Sequence, residues 1–304
     1  MSTEPPLVVA RAIGGLVFDT MQSVLRLNAW DLMDALLRLT VMDANFAPLS
    51  GKPDLARRYA GLSEVLPDDA RQPISINAVS RSTGLSFETA RRRVHRMTEA
   101  GLCRETPRGV ILTGEMLATP EMLQEIGRTY GRLREVRAAL AVTAPDFALI
   151  QDSAPVASPL ADPARLCSRS TSKFVLRYLE TDMPVMGDVV SSILALGVGV
   201  LGARNPDGEM SSDLWTSPRL LTEAERVPVG AAALSRELRL ARETTRRRLE
   251  ALTAREVLLR KAEGYIINPA FQITAAAEDR RRIRAGQLQQ LYTGLHRLGV
   301  DFDA

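Results

Sequence analysis

A chain of 304 residues with 39 Lys+Arg against 36 Asp+Glu, 45% hydrophobic residues, 17 Pro and 20 Gly has the composition of a soluble globular protein with apolar mass for two cores. Two cysteines, Cys103 and Cys167, exclude a disulfide framework; with only His95 and His296 beside them, soft ligands are too few for a zinc or iron centre, so no metal or cofactor is expected. No apolar segment follows a basic start, which points to a reducing, cytoplasmic compartment, and the longest nearly uncharged apolar stretch, Val189 to Ala203, falls short of the roughly 20 residues of a membrane span and reads as a buried helix.

The net charge of +3 is unevenly distributed. Arg81 to Arg108 carries a local +4 and Arg236 to Lys261 a local +5, leaving the remainder at −6. Of the 39 cations 36 are Arg, as an Arg-rich composition throughout would give, but such a bias does not by itself concentrate them twice.

In chain order, Trp30 to Ala44 places Leu32, Ala35, Leu36, Leu39 and Met42 at helical spacing and predicts an amphipathic helix. An Asp-, Pro- and Gly-containing insert, Asn45 to Gln72, follows. Pro73 to Ser75 suits a short strand and Asn77 to Thr83 a short helix, with Gly84 supplying a left-handed turn residue. Ser86 caps a longer helix that runs to Ala100, and Gly101 stops it. Leu102 to Thr106, a Pro107-Arg108-Gly109 turn and Val110 to Thr113 then form a hairpin. Long helices, Pro120 to Ala144 and Ala270 to Leu298, carry Arg on one side and Leu on the other. Between them Gln151 to Ser172, with Pro155, Pro159 and Pro163, suits an extended linker.

Displacing the sequence by 155 positions aligns Pro73–Leu112 with Pro228–Ile267 without a gap, and 13 of the 40 positions are identical, among them Ser80/Ser235, Glu88/Glu243, Thr89/Thr244, the triple Arg91-Arg92-Arg93/Arg246-Arg247-Arg248 and Gly109/Gly264. The same offset aligns Leu133/Leu288, Leu140/Leu295 and Asp146-Phe147/Asp301-Phe302, so the chain reads as two copies of one unit. The expected domains are residues 1–150 and 173–304, joined by the linker 151–172. Arg239 stands where the first copy has Gly84, and Glu256 where it has Gly101. A left-handed conformation costs a non-glycine residue about 1 kcal/mol or more, so a different turn or lower stability is expected in the second copy.

The run VSRSTGLSFETARRRVHRMTEAGL with PRGV, and in the second copy LSRELRLARETTRRRLEALTAREV with AEGY, resembles the winged helix-turn-helix of bacterial transcriptional regulators, particularly the GntR and MarR types. The resemblance covers about forty residues of each half. It implies a mainly α fold with small β wings, two tandem winged helix-turn-helix domains with long flanking helices, and sequence-specific binding of double-stranded DNA in the cytoplasm, at the nucleoid. Likeness to the GntR type directs attention to Ser86, Thr89 and Arg91, and to Arg242, Thr244 and Arg246, as DNA contacts.

At 100° per residue, Ala90, Val94 and Met97 form one apolar stripe and Thr245, Leu249 and Leu252 the other, which leaves Arg92, Arg96 and Thr89, and Arg247 and Thr244, pointing outward. Arg can bond guanine O6 and N7 together, and hydroxyls serve phosphates or base edges. Arg108 in the first hairpin, and Arg260 and Lys261 in the second, are placed for phosphate or minor-groove contact. Arg93 and Arg248 fall nearer the stripes and are expected to lie over them or to pair with an acid. Two modules on one chain suggest a pseudo-dimer reading half-sites about 34 Å apart, with the long flanking helices as a surface for a homodimer; a small-molecule effector is left open. A replication initiator and a chromosome-organising adaptor share the architecture. Enzymatic activity has no positive support: Gly197-Val198-Gly199 lacks a third Gly and a following helix start.

Overall fold

The computed structural model describes residues 5–27, 30–151, 158–203, 217 and 219–302. The fold is mainly helical with two small antiparallel hairpins. In chain order the helices are α1 (Leu7–Arg26), α2 (Leu32–Phe46), α3 (Pro53–Arg58), α4 (Ile76–Thr83), α5 (Phe87–Glu99), α6 (Gly114–Leu117), α7 (Pro120–Thr143), α8 (Ala164–Met186), α9 (Val189–Leu201), α10 (Ala231–Glu237), α11 (Arg242–Ala254), α12 (Pro269–Gln272) and α13 (Ala275–Arg297). The strands are β1 (Cys103–Thr106), β2 (Gly109–Leu112), β3 (Leu258–Lys261) and β4 (Gly264–Ile267).

The duplication is visible in backbone geometry. Cys103 pairs with Leu112 and Thr106 with Gly109 in one hairpin; Leu258 pairs with Ile267 and Lys261 with Gly264 in the other. A single bridge extends each, Ile74 to Val110 and Val229 to Tyr265. That bridge accounts for the identical glycines: a Cβ at Gly109 would lie 2.3 Å from the Ile74 carbonyl oxygen, and one at Gly264 2.5 Å from that of Val229.

Two compact units form, and they are not the contiguous halves 1–150 and 173–304. One comprises residues 26–135, 150–176 and 290–304; the other comprises 1–25, 136–149 and 177–289. Each copy of the repeated helix–hairpin segment is thus completed by segments from the opposite half. Nor is 151–172 a free linker. Residues 152–157 lie outside the described residues, but α8 starts at Ala164, the Leu160 N–H donates to the Gly299 carbonyl at 2.8 Å, and Asp162 Oδ2 accepts from the Leu62 N–H at 2.6 Å.

In the unit carrying the first copy, α2 packs against α4 and β2, and Leu37, Val41, Val79, Val94, Met97 and Val110 form its core. Asn45 is fully buried and satisfied: its amide nitrogen donates to the Gln72 and Val110 carbonyls at 2.9 and 3.2 Å, and its oxygen accepts from the Leu112 N–H at 2.8 Å. The predicted insert is folded rather than irregular. Its Leu49, Ala56, Tyr59 and Leu66 form a small core of their own, and Arg169 of α8 donates to the Tyr59 carbonyl at 2.6 Å. Burial lowers the Arg169 guanidinium to about 10.

In the other unit α9 takes the central place, packing on α10, α11 and β4. α1 approaches α9 through two glycines: Leu196 lies 3.3 Å from a Cβ built at Gly14, and the Phe18 ring 3.3 Å from one built at Gly197. Among the described residues α1 is long and apolar enough by length and composition to cross a membrane, a property the sequence reading passed over because Arg11 and Asp19 interrupt it. Val9, Val17, Phe18 and Met21 are buried within the unit.

Arg239 and Glu256 keep the left-handed backbone of their glycine counterparts, at φ 48° and 58° against 71° for Gly84 and 73° for Gly101. The second turn is therefore not remodelled as the sequence suggested; packing imposes the same path on side chains that disfavour it. Arg239→Gly and Glu256→Gly should each raise stability by up to about 1 kcal/mol, the left-handed penalty less the extra unfolded-state entropy of glycine, in urea titrations. Expressed alone, residues 1–150 should give no cooperative thermal transition, whereas co-expressed 1–150 and 151–304 should co-purify and show one by calorimetry.

Candidate nucleic-acid interface

Helices α4 and α5, and α10 and α11, meet at the same angle-setting bond. The Ser80 hydroxyl donates to the Leu85 carbonyl at 2.7 Å, and its repeat partner Ser235 donates to the Leu240 carbonyl at 2.7 Å. A buried or nearly buried hydroxyl thereby ties the first helix to the end of the turn, which explains why Ser survives in both copies. The apolar stripes are as expected: Ala90, Val94 and Met97 are buried on α5, and Thr245, Leu249 and Leu252 on α11.

At the start of α5 the Ser86 side chain accepts from the Thr89 N–H at 3.3 Å, while its hydroxyl donates to Thr89 Oγ1 at 2.8 Å. Two predicted contact residues thus build the cap of their own helix. In the second copy Ala241 stands at the cap and offers no such bond; Arg242 and Thr244 follow it, both exposed.

The arginine triple divides by role. The middle members, Arg92 and Arg247, are exposed, and among the described residues their side chains form no hydrogen bond. The first members, Arg91 and Arg246, are exposed but paired along the helix: Arg91 with Glu88 at 3.0 Å, and Arg246 with Glu243 at 2.7 Å and Glu250 at 2.6 Å. The hydrogen bond from Arg91 holds the Glu88 carboxyl below its ordinary range, and that from Arg246 does the same for Glu243. Such exposed pairs are weak and exchange readily for another anion.

The third members are spent on the protein. Arg93 Nη1 lies 2.8 Å from Asp31 and 2.7 Å from Asp34, and Arg248 Nη1 lies 2.7 Å from Asp188. Asp31 caps α2 and Asp188 caps α9, so each copy ties its long exposed helix to the N-terminus of its central one. Burial alone would lift the Asp31 carboxyl, but the hydrogen bonds from Arg93 and the Asp34 N–H hold it below the ordinary range; Asp34, fully buried beside Asp31, is lifted above it.

Arg96 departs from expectation. Its guanidinium bonds Asp34 and stacks 4.2 Å from the Trp30 ring centroid, because the buried Asp34 carboxylate needs a second cation. It is occupied on the flank of α5 rather than free to read bases. Lys261 is also engaged, by Glu223. Arg108 lies exposed in the β1–β2 turn, near the Asp68–Arg104 ion pair at 2.7 Å. Exposed Phe87 opens α5 with half its surface uncovered; the sequence reading assigned it no role, although an aromatic beside a helix cap with no apolar partner in the stripe is a readable signal.

His95 is exposed, 3.4 Å from Glu99. Both cysteines are buried and their thiols pushed up to about 12 by burial, which makes them inert core residues. Among the described residues no group of three or more His, Cys, Asp or Glu converges as a metal ion would require. No protein-family profile, curated protein or solved structure matches the chain.

Removing Arg93 leaves the buried Asp34 with half its compensation, whereas Asp188 is partly solvated. Arg93→Ala should therefore cost about 3 kcal/mol and Arg248→Ala under about 1 kcal/mol, by chemical denaturation.

Proposed function

We propose that the chain is a sequence-specific, double-stranded DNA-binding transcriptional regulator in which two duplicated winged helix-turn-helix modules carry the recognition, acting in the cytoplasm at the nucleoid. The observation that carries this reading is the recurrence, at one offset of 155 residues, of an exposed Arg92/Arg247 and a helix-start Thr89/Thr244 on a helix joined to its predecessor by a turn held with the same Ser-to-carbonyl bond.

In this reading the first turns of α5 and α11 enter the major groove. Arg92 and Arg247 have unpaired guanidinium nitrogens to offer guanine. Arg91 and Arg246 exchange their helix carboxylates for phosphates, Arg242 adds charge at the second helix start, and Arg108 contacts the backbone from the hairpin. Arg96 contributes through the Asp34 cluster, by holding α5 in place. Backbone N–H groups at the helix starts favour phosphate as well. The flanking helices expected to join two chains already bury Leu133, Leu140, Leu288 and Leu295 within one, so the reading needs no second copy.

Fluorescence anisotropy with duplex DNA over a salt series tests it. Neutralising 6–10 phosphates predicts a fall in affinity of roughly 10³ or more between about 50 and 200 mM salt. Arg92→Ala with Arg247→Ala should abolish preference among sequences, at about 1–3 kcal/mol each, whereas Arg108→Ala should weaken all sequences alike. A flat salt curve would overturn the reading in favour of a protein partner.

A further inference from the structure

The unit carrying the second copy holds a partly open cavity of about 180 Å³. Its wall is apolar where α1 meets α9, at Gly14, Leu196 and Val200, and it reaches Ile267 at the root of the β3–β4 hairpin. Against this wall stand, among the described residues, five arginines and one carboxylate, Asp182. Four of the five are accounted for: Arg284 is paired with Asp182 and lies 4.2 Å from the Tyr178 ring centroid, Arg281 donates to the Gln272 carbonyl at 2.6 Å, Arg226 donates to the Leu221 carbonyl at 2.8 Å, and Arg11 donates to the Ser217 and Arg219 carbonyls.

Arg280 is the exception. Its side chain is 9% exposed, its closest carboxylate oxygen is Asp182 Oδ1 at 3.7 Å, shared with Arg284, and among the described residues neither its Nε nor its Nη1 has a hydrogen-bond partner, as is also true of Asp182 Oδ1. The Phe271 ring, centroid 4.9 Å away, faces the guanidinium. Leaving buried charged donors unmatched is costly, and burial lowers the pKa of Arg280 and takes Arg226 down to about 10, so both remain cations at neutral pH.

The fold does not require this charge. The repeat places Glu125 at the register of Arg280, and Glu125 is paired with Arg26 at 3.1 Å and with Arg128. One architecture therefore accepts either sign, and in the second copy the described residues leave a cation under-compensated beside an apolar wall.

We propose that this cavity binds a small amphipathic carboxylate of about one aromatic ring, its apolar body against Leu196 and Val200 and its carboxylate accepting hydrogen bonds from Arg280. The size follows from the volume, since an apolar cavity of about 150 Å³ holds benzene. The charge follows from five guanidinium groups against one carboxylate. This site stands whether or not the chain binds DNA.

Ligand-observed NMR on the full chain, with benzoate and its neutral analogue benzamide as probes, tests it alongside thermal unfolding of Arg280→Met. Benzoate should bind about tenfold more tightly than benzamide, as a charge-assisted bond requires. Arg280→Met should remove that difference while the ligand-free variant melts no lower than the parent, because it loses an unmatched buried charge. Equal binding of the two probes, or no benzoate binding at millimolar concentration, would overturn the proposal. So would a ligand-free Arg280→Met that melts well below the parent or fails to fold, since Arg280 would then be a structural group.

Discussion

The arginine that ends each triple fixes the geometry on which the rest depends. By reaching the aspartate that caps the central helix, Arg93 to Asp31 and Arg248 to Asp188, it sets the rotation of the exposed helix about its own axis. With that rotation set, the stripe of Val94 or Leu249 turns inward and Arg92 or Arg247, two residues earlier, turns outward. At 100° per residue neighbouring positions face different directions, so one run of arginines supplies both the flank and the outer face. The identical triple is therefore part anchor and part exposed cationic face.

Local structure was legible in the sequence, and long-range pairing was not. The cap at Ser86, the left-handed Gly84 and Gly101, both stripes and both hairpins follow from rules that operate within a few residues. Arg96 was misjudged because its partner Asp34 lies 62 residues away, and helical geometry alone leaves its flank position looking outward. The exchange of segments between units could not be read for a deeper reason. In a duplicated chain, α8 fits against the copy before it or the copy after it with the same residues, so periodicity serves both arrangements equally. The insert was misread because Asp, Pro and Gly suggest a loop, whereas Tyr59 and Leu66 had enough apolar surface to build a core once α8 covered them.

The two copies have diverged in rigidity as well as in charge. The first has two arginines on two aspartates, a Trp30 stack, a serine cap and glycines where the backbone turns left-handed. The second has one arginine on one aspartate, an uncapped helix start and two strained residues. Its α11 is the less stable of the two by each of these local measures, which places the softer of the two arginine-bearing helices in the unit that also holds the arginine-lined cavity.

The division of each compact unit among three separated stretches of chain has a thermodynamic consequence. Two free half-length polypeptides that complete one another would come apart on dilution, their integrity governed by how many are present. Carried on a single backbone, the same complementation is unimolecular, and the tether supplies a high effective concentration at any abundance. A protein organised in this way keeps both units intact when a cell contains only a few molecules of it.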